Sequence, residues 1–215
     1  MGESGQSRRE REKQQRRKHI LDVAERLFAT TGFYNTSVSD IAKEAEFGVG
    51  TLYKYFKDKD NLFEELIADR MSHYFEIIES VLLNDTEPLE KLKQYIRAHV
   101  IMLNEKKEFF KIFFAYVHPL LADANKSNTY DLSSIQQKRE YLFSLLQGVV
   151  EEGISRRQFK KVDSAYVVAA IFGIHISVYF MQLHRNPNGD WDVEEMERSI
   201  CSVFFDSILL DEGDR

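Results

Sequence analysis

Only three prolines interrupt the chain, Pro88, Pro119 and Pro187, and all lie beyond residue 60. Proline breaks helices, so its scarcity leaves long stretches free to coil wherever apolar residues recur at three- and four-residue spacing. Such spacing runs nearly end to end, and the expected fold class is all-α. With 215 residues, 43% of them hydrophobic, the chain can bury one compact core or two small ones. Cys201 is the single cysteine, which excludes an intrachain disulfide and a cysteine-rich metal site. The charged N-terminus lacks the apolar core of a secretory signal. The most apolar stretch, residues 165–183, carries His175 and is broken by Gly173 and Ser177, so it reads as a buried helix rather than a membrane span. The expected location is cytoplasmic, without a membrane partner.

The net charge of −6 conceals a division. Residues 1–60 hold 12 Lys+Arg against 10 Asp+Glu, whereas residues 61–215 hold 17 against 25. The basic excess is densest at Arg8, Arg9, Arg11, Lys13, Arg16, Arg17 and Lys18. Opposite signs in the two parts suggest an end that faces nucleic acid and a body that does not.

Ile20, Ala24, Leu27 and Phe28 form one apolar face of a helix expected over residues 16–30, stopped by Gly32. Thr36 or Ser37 caps a second helix carrying Val38, Ile41, Ala42 and Ala45. After a break at residues 46–48, a third short helix runs from Val49 to about Phe56, with Leu52 and Phe56 inward at i, i+4. Asp58 or Asp60 caps the next helix. Three short helices, the last two separated by about three residues, make a helix-turn-helix. Gly50, Thr51, Tyr53 and Lys54 then point outward from the element that would enter a major groove. Gly50 permits close approach, Lys54 can donate to guanine, and the Thr51 methyl can meet a thymine methyl. Tyr55, Lys57 and Lys59 are placed for phosphates, as are Thr36 and Ser37 at the start of the second helix.

Thr36-Ser37-Val38-Ser39-Asp40-Ile41-Ala42, followed by Gly50-Thr51-Leu52-Tyr53-Lys54-Tyr55-Phe56-Lys57-Asp58-Lys59, resembles the DNA-binding unit of the TetR family of transcriptional regulators. Phe28 and Gly32-Phe33 match that family's first helix and its exit. The resemblance covers about residues 16–66. It implies a basic flexible tail over 1–15, a helix-turn-helix domain over 16–62, and a helical ligand-binding and dimerisation domain over 63–215. It further implies a repressor that is released from a double-stranded DNA operator by a small molecule. Two departures stand out. Glu46 occupies the turn where the family commonly has glycine, at a cost of about 1 kcal/mol if its φ is positive. Gly48 replaces a hydroxyl cap, a loss of a few tenths of a kcal/mol.

Beyond residue 60, helices are expected over about 60–83, 88–104, 107–117, 132–153, 163–184 and 192–210, with breaks at Pro88, His118-Pro119, residues 122–134 and residues 186–189. In the fifth of these, Ala165, Ala169, Gly173 and Ser177 make a small-residue stripe beside large Val168, Phe172, Ile176 and Phe180. The last helix carries Ile200, Val203, Phe204, Ile208 and Leu209. Two such broad apolar surfaces call for burial against a second copy, and the resemblance implies a homodimer through these two helices. Aromatic residues crowd the middle of the chain. The candidate effector contacts are His99, Met102, Phe113, Tyr116, Tyr141, Phe172 and His175, a mostly apolar set with a few orienting polar groups. An apolar or aromatic ligand is expected.

An enzyme fits less well. The six histidines show no metal-ligand spacing, and no nucleophile elbow, P-loop or dinucleotide fingerprint occurs. No cofactor is expected. A helical adaptor would account for the body but not for the outward set at 50–57. An architectural DNA binder would rely on the basic tail and show no sequence preference.

Overall fold

The computed structural model describes residues 8–122, 130–187 and 189–210. Among the described residues every regular element is helical: α1 Arg8–Thr31, α2 Val38–Glu44, α3 Val49–Leu52, α4 Lys59–Leu83, α5 Pro88–Glu105, α6 Lys107–Ile112, a π turn Phe113–Val117, α7 His118–Ala122, α8 Ser133–Ser155, α9 Ser164–Arg185 and α10 Val193–Ile208. The chain divides into two compact units. One holds residues 1–70 and 108–132, the other residues 71–107 and 133–215.

In the first unit, α1 buries Ile20, Leu21, Ala24 and Phe28 with Ile41 and Ala42 of α2, Leu52, Phe56, and Leu62, Phe63 and Leu66 of α4. Removing each of the larger side chains among these from water contributes roughly 1.5–3 kcal/mol, and each alanine methyl less. α1 ends where Gly32 turns to φ +87° and its N–H reaches the Phe28 carbonyl at 3.1 Å. An L side chain would be strained there. Ser37 caps α2 reciprocally with Asp40: Asp40 N–H donates to Ser37 Oγ, and Ser37 N–H donates to the Asp40 carboxylate. The Ser37 hydroxyl, which also donates to the Asp40 carboxylate, and then the Ser37 N–H hold that carboxyl below its usual range. Arg70 ties α4 back to α1 through Glu25, at 2.6 Å, and Asp22.

The expected flexible tail over residues 1–15 needs correction. Residues 1–7 lie outside the described residues, but residues 8–15 belong to α1. Arg, Glu, Lys and Gln are strong helix formers, and the i, i+4 pairs Arg8–Glu12 and Gln14–Glu10 join successive turns. A second difference concerns the break expected at His118-Pro119. Pro119 has no N–H to offer the Ala115 carbonyl, and the helical path widens before it: His118 N–H reaches five residues back to Phe113, and the path continues through α7.

The second unit packs α5, α8, α9, α10 and the C-terminal part of α4 around Leu92, Ile96, Val100, Leu146, Val150, Phe159, Ile171, Ile200 and Phe204. Gly153 is required by close approach, because a Cβ there would lie 2.1 Å from the Phe159 ring. Asp163 and Asp192 cap α9 and α10 through the amides of Ala165 and Glu195. Trp191 locks the connection between them. Its indole donates to the Asn186 carbonyl at 3.0 Å, its backbone N–H donates to Asn104, and its ring lies against Tyr179. By length and composition α9 could cross a membrane, yet it carries the fully buried His175 and Tyr179 on its core side.

Candidate nucleic-acid interface and ligand cluster

α2 and α3 are joined by a turn whose backbone explains both departures noted in the sequence. Glu46 sits at φ 57° and donates its N–H to the Lys43 carbonyl at 3.2 Å, while Phe47 N–H reaches the Ala42 carbonyl at 2.9 Å. These paired bonds are a Schellman motif, the usual setting for glycine, and here a glutamate bears the left-handed strain. Gly48 then serves as N-cap of α3 in extended conformation with no side-chain cap.

From that cap the polypeptide sorts its side chains sharply. Leu52 and Phe56 are buried, at 1% and 3% exposure. Gly50, Tyr53, Lys54 and Lys57 are exposed, and Thr51 and Tyr55 half-exposed. Nothing stands within 4 Å of where a Cβ on Gly50 would lie, so packing inside the protein does not require glycine there. The face so formed offers a cation, a phenol and a methyl-bearing hydroxyl over an open backbone. That combination suits base edges in a major groove.

Three expected phosphate contacts are engaged inside the first unit instead. Thr36 is buried at 2%, with its hydroxyl donating to the Gly32 carbonyl at 2.9 Å and lying 2.7 Å from the Thr31 hydroxyl. It locks the exit of α1 and is not available to a phosphate. Lys59 donates Nζ to the carbonyls of Phe33 and Thr36 at 3.0 and 3.1 Å and lies 4.3 Å over the Phe33 ring. Its charge is committed to holding the α1–α2 connection. Ser37 is exposed, but its hydroxyl serves the cap by donating to the Asp40 carboxylate at 2.6 Å. The basic residues missed as ordered are those of the α1 extension, Arg8, Arg9, Arg11 and Lys13, which are exposed on a helix; Arg16 and Lys18, inside the helix expected from sequence, are exposed too, and Arg17 pairs with Glu65.

The expected effector contacts fall into both units. Phe113 and Tyr116 belong to the first. There Tyr116 packs with Phe33 and Phe63, and its hydroxyl accepts from the Phe33 N–H at 3.4 Å. His99, Met102, Tyr141, Phe172 and His175 belong to the second. Tyr141 is 40% exposed beneath the Lys138 ammonium, so it does not line an interior. Phe172 is half-buried against Phe143. Met102 is buried one turn beyond His99 on α5.

His99 and His175 do come together. Their rings stack with centroids 4.2 Å apart, both side chains are buried, and Tyr74 and Tyr95 complete the group. The Tyr74 hydroxyl meets His99 Nδ1 at 3.0 Å, and the Tyr95 ring lies edge-on to His175 at 5.7 Å. Burial is the first cause acting on every member. It pushes the His175 imidazole down to about 4, holds His99 well below the usual imidazole range, and drives both phenols upward. At neutral pH the cluster therefore carries four polar side chains and no net charge.

The N-terminal family model for bacterial regulatory proteins of the tetR family matches residues 20–66, and the tetracyclin repressor-like C-terminal domain model matches residues 85–208. The second match alone spans more than half of the chain. The chain belongs to the TetR family of bacterial regulatory proteins. Among its relatives, the fatty acid metabolism regulator protein of Bacillus subtilis is 29% identical over 164 residues, covering 75% of this chain and 81% of that protein. FadR from Bacillus subtilis, solved with stearoyl-CoA, shares the fold with a TM-score of 0.69 at 22% identity, over 87% of this chain and 97% of that one. AibR, solved with isovaleryl coenzyme A and operator DNA, shares it with a TM-score of 0.70 at 18% identity, over 88% and 98%.

In this TetR-family chain a further surface emerges on α9 and α10. Ala165, Ala169, Gly173 and Ser177 are all exposed, alongside Tyr166 at 78% and Phe180 at 49%, with Val203 of α10 at 67%. The small-residue stripe thus lies outside the core of its own unit. Sequence reasoning missed Tyr74 in the buried cluster and read Tyr95 only as one of the aromatic residues of the core. Tyr95 was within reach, because it precedes His99 by one helical turn on the same face of α5.

Proposed function

We propose that this TetR-family protein is a dimeric repressor that reads DNA with α3 and is released by an acyl thioester of coenzyme A. The observation that carries the DNA reading is the sorting around α3: Leu52 and Phe56 lie in the core, and Gly50, Tyr53 and Lys54 face solvent after a tight turn. α3 enters the major groove, Lys54 and Tyr53 contact base edges or the adjoining backbone, and Lys57 fixes register on phosphate. The α1 extension adds salt-sensitive attraction through its exposed arginines.

A dimer supplies two such helices about one turn of duplex apart, ~34–36 Å. The exposed stripe of Ala165, Ala169, Gly173 and Ser177 supports pairing through α9 and α10, because small side chains let helices approach closely and cover Tyr166, Phe180 and Val203. Such a repressor acts in the cytoplasm, where the chromosome lies. The effector class follows the similarity to a fatty acid metabolism regulator and to folds solved with acyl-CoA ligands, together with an aromatic, uncharged interior. A ligand releases DNA only to the extent that it binds the non-DNA conformer more tightly.

The test is equilibrium binding to the gene's own upstream DNA and to a scrambled fragment, with Lys54→Ala alongside. Preference for the native fragment, reduced in the variant, is expected. Equal binding to both fragments by the folded dimer would overturn the sequence-reading role of α3.

A further inference from the structure

His175 stands in the middle of α9 with no exposed surface, and among the described residues neither of its ring nitrogens meets a hydrogen-bond partner. The Ile171 carbonyl, one turn back, favours a protonated ring but does not reach hydrogen-bond geometry. Leaving a buried donor and acceptor unmatched costs about 1–3 kcal/mol, and folded proteins rarely retain such a group without a use for it. A leucine would fill the space without that cost.

The surroundings define what would satisfy it. His99 stacks on one face, and the Tyr95 ring stands edge-on. Tyr74 holds His99 Nδ1 through its hydroxyl, so the second imidazole is fixed in place from α4. No carboxylate, ammonium or guanidinium belongs to the cluster, and burial opposes charge on each of its four members. An ionised ligand group would be buried there without a counter-charge, at a cost no hydrogen bond recovers. An uncharged oxygen suits the site, because a neutral imidazole offers one N–H to an acceptor.

We propose that His175, backed by the stacked His99, is the specificity-determining anchor of the effector site and donates its ring N–H to the thioester carbonyl oxygen of the acyl-CoA. The inference rests on the effector class proposed above. It places the carbonyl in the second unit, at the meeting of α5 and α9, and it makes the protein distinguish a thioester from the corresponding free acid. His99 is a positioning residue in this arrangement. His175 is the group that touches the ligand.

The experiment is calorimetric binding to the full-length protein of butanoyl-, octanoyl- and hexadecanoyl-CoA. Each is compared with the S-alkyl-CoA of equal chain length, which lacks only the carbonyl oxygen, and with the free carboxylate. Thioester binding should exceed thioether binding about tenfold, the equivalent of one buried hydrogen bond of about 1.4 kcal/mol. His175→Gln, which keeps a neutral donor, should retain much of that gap, and His175→Leu should abolish it while still binding the alkyl chain. Equal binding of thioester and thioether by the unmodified protein would overturn the anchor and leave the acyl-CoA class standing. Binding of the free carboxylate as tightly as the thioester would overturn the uncharged-site argument. If no CoA derivative binds, the effector class fails, and the anchor fails with it. The comparison of ligands on the unmodified protein needs no variant to fold.

Discussion

Acidification should destabilise this protein well before its carboxylates titrate, and His175 should account for a defined share of the loss. An unfolded chain gives this imidazole its ordinary value near 6.5, whereas burial brings it to about 4 in the folded protein. Between those two values the unfolded state holds the extra proton. Stability is therefore complete above about pH 6.5 and falls as pH drops toward about 4, the sign expected when a group is buried neutral. The separation corresponds to about 3 kcal/mol in all, of which about 2 kcal/mol is lost by about pH 5. His99, lowered by burial and then by the neighbouring His175, adds to the loss in the same direction.

The assay is urea unfolding at fixed ionic strength across the range from neutral to about pH 5, with protein concentration held fixed because association of copies would make stability depend on it. His175→Leu should remove the imidazole's share. Its midpoint should fall less steeply with acid than that of the unmodified protein, with the curves separating below about pH 6.5. Asp40 and Glu79 act in the same sense, but their lowered values place their effect at more acidic pH. Parallel loss of stability by the two proteins across this interval would refute the reasoning, because it would mean that His175 gains its proton without unfolding the chain.

Gly50→Ala should raise thermal stability, by about 0.5–1 kcal/mol, because no neighbour obstructs the new methyl and alanine is the better helix former. The same change should weaken operator binding measured by fluorescence anisotropy, and stronger binding would remove the close-approach role from α3. Glu46→Gly should stabilise the turn by about 1 kcal/mol in denaturant unfolding, since Glu46 is held at φ 57°. Thr36→Val should cost about 1–2 kcal/mol of stability through the lost Thr31 and Gly32 bonds, with DNA affinity at saturating folded protein unchanged. Replacing Arg8, Arg9 and Arg11 together by alanine should flatten the salt dependence of DNA binding by about 0.9 in slope for each phosphate contact removed. An unchanged slope would show that the α1 extension lies away from the duplex.

Helix ends were legible because caps are local. Ser37 and Asp58, each one of two cap candidates in the sequence, bond an amide three residues onward, while Asp163 and Asp192 bond amides two and three residues onward at helices for which the sequence reading named no cap. The inward pair Leu52 and Phe56 was legible too, since the Phe56 N–H reaches the Leu52 carbonyl at 2.9 Å, although the helix expected to run to about Phe56 ends at Leu52 and the chain continues as a turn. Residues 8–15 were not, because a helix stabilised by i, i+4 charge pairs carries no apolar period. Thr36 and Ser37 show the limit most sharply. Two adjacent hydroxyls look alike in sequence, yet one faces the exit of α1 and the other caps α2. Only the turn between Gly32 and Ser37 decides which is which.

Lys59 and the histidine pair extend that argument to contacts distant along the chain. A lysine in a basic run reads as a phosphate contact, but Lys59 satisfies carbonyls 23 and 26 residues away, and nothing local announces that. His99 and His175 were each named as orienting groups without any sign that they would stack, because 76 positions separate them and α5 and α9 meet only in the folded unit. The two cases have opposite consequences. Lys59 exchanges a solvated charge for three contacts inside the first unit, an arrangement complete without a ligand. His175 lies buried with its nitrogens unmatched, an arrangement that a second molecule can complete. A side chain whose polar atoms are all answered by its own chain therefore argues for architecture, and one left unanswered at full burial argues for recognition. By that criterion Thr36 and Lys59 belong to the scaffold of the first unit, and His175 is the residue on which the proposed effector site is to be tested.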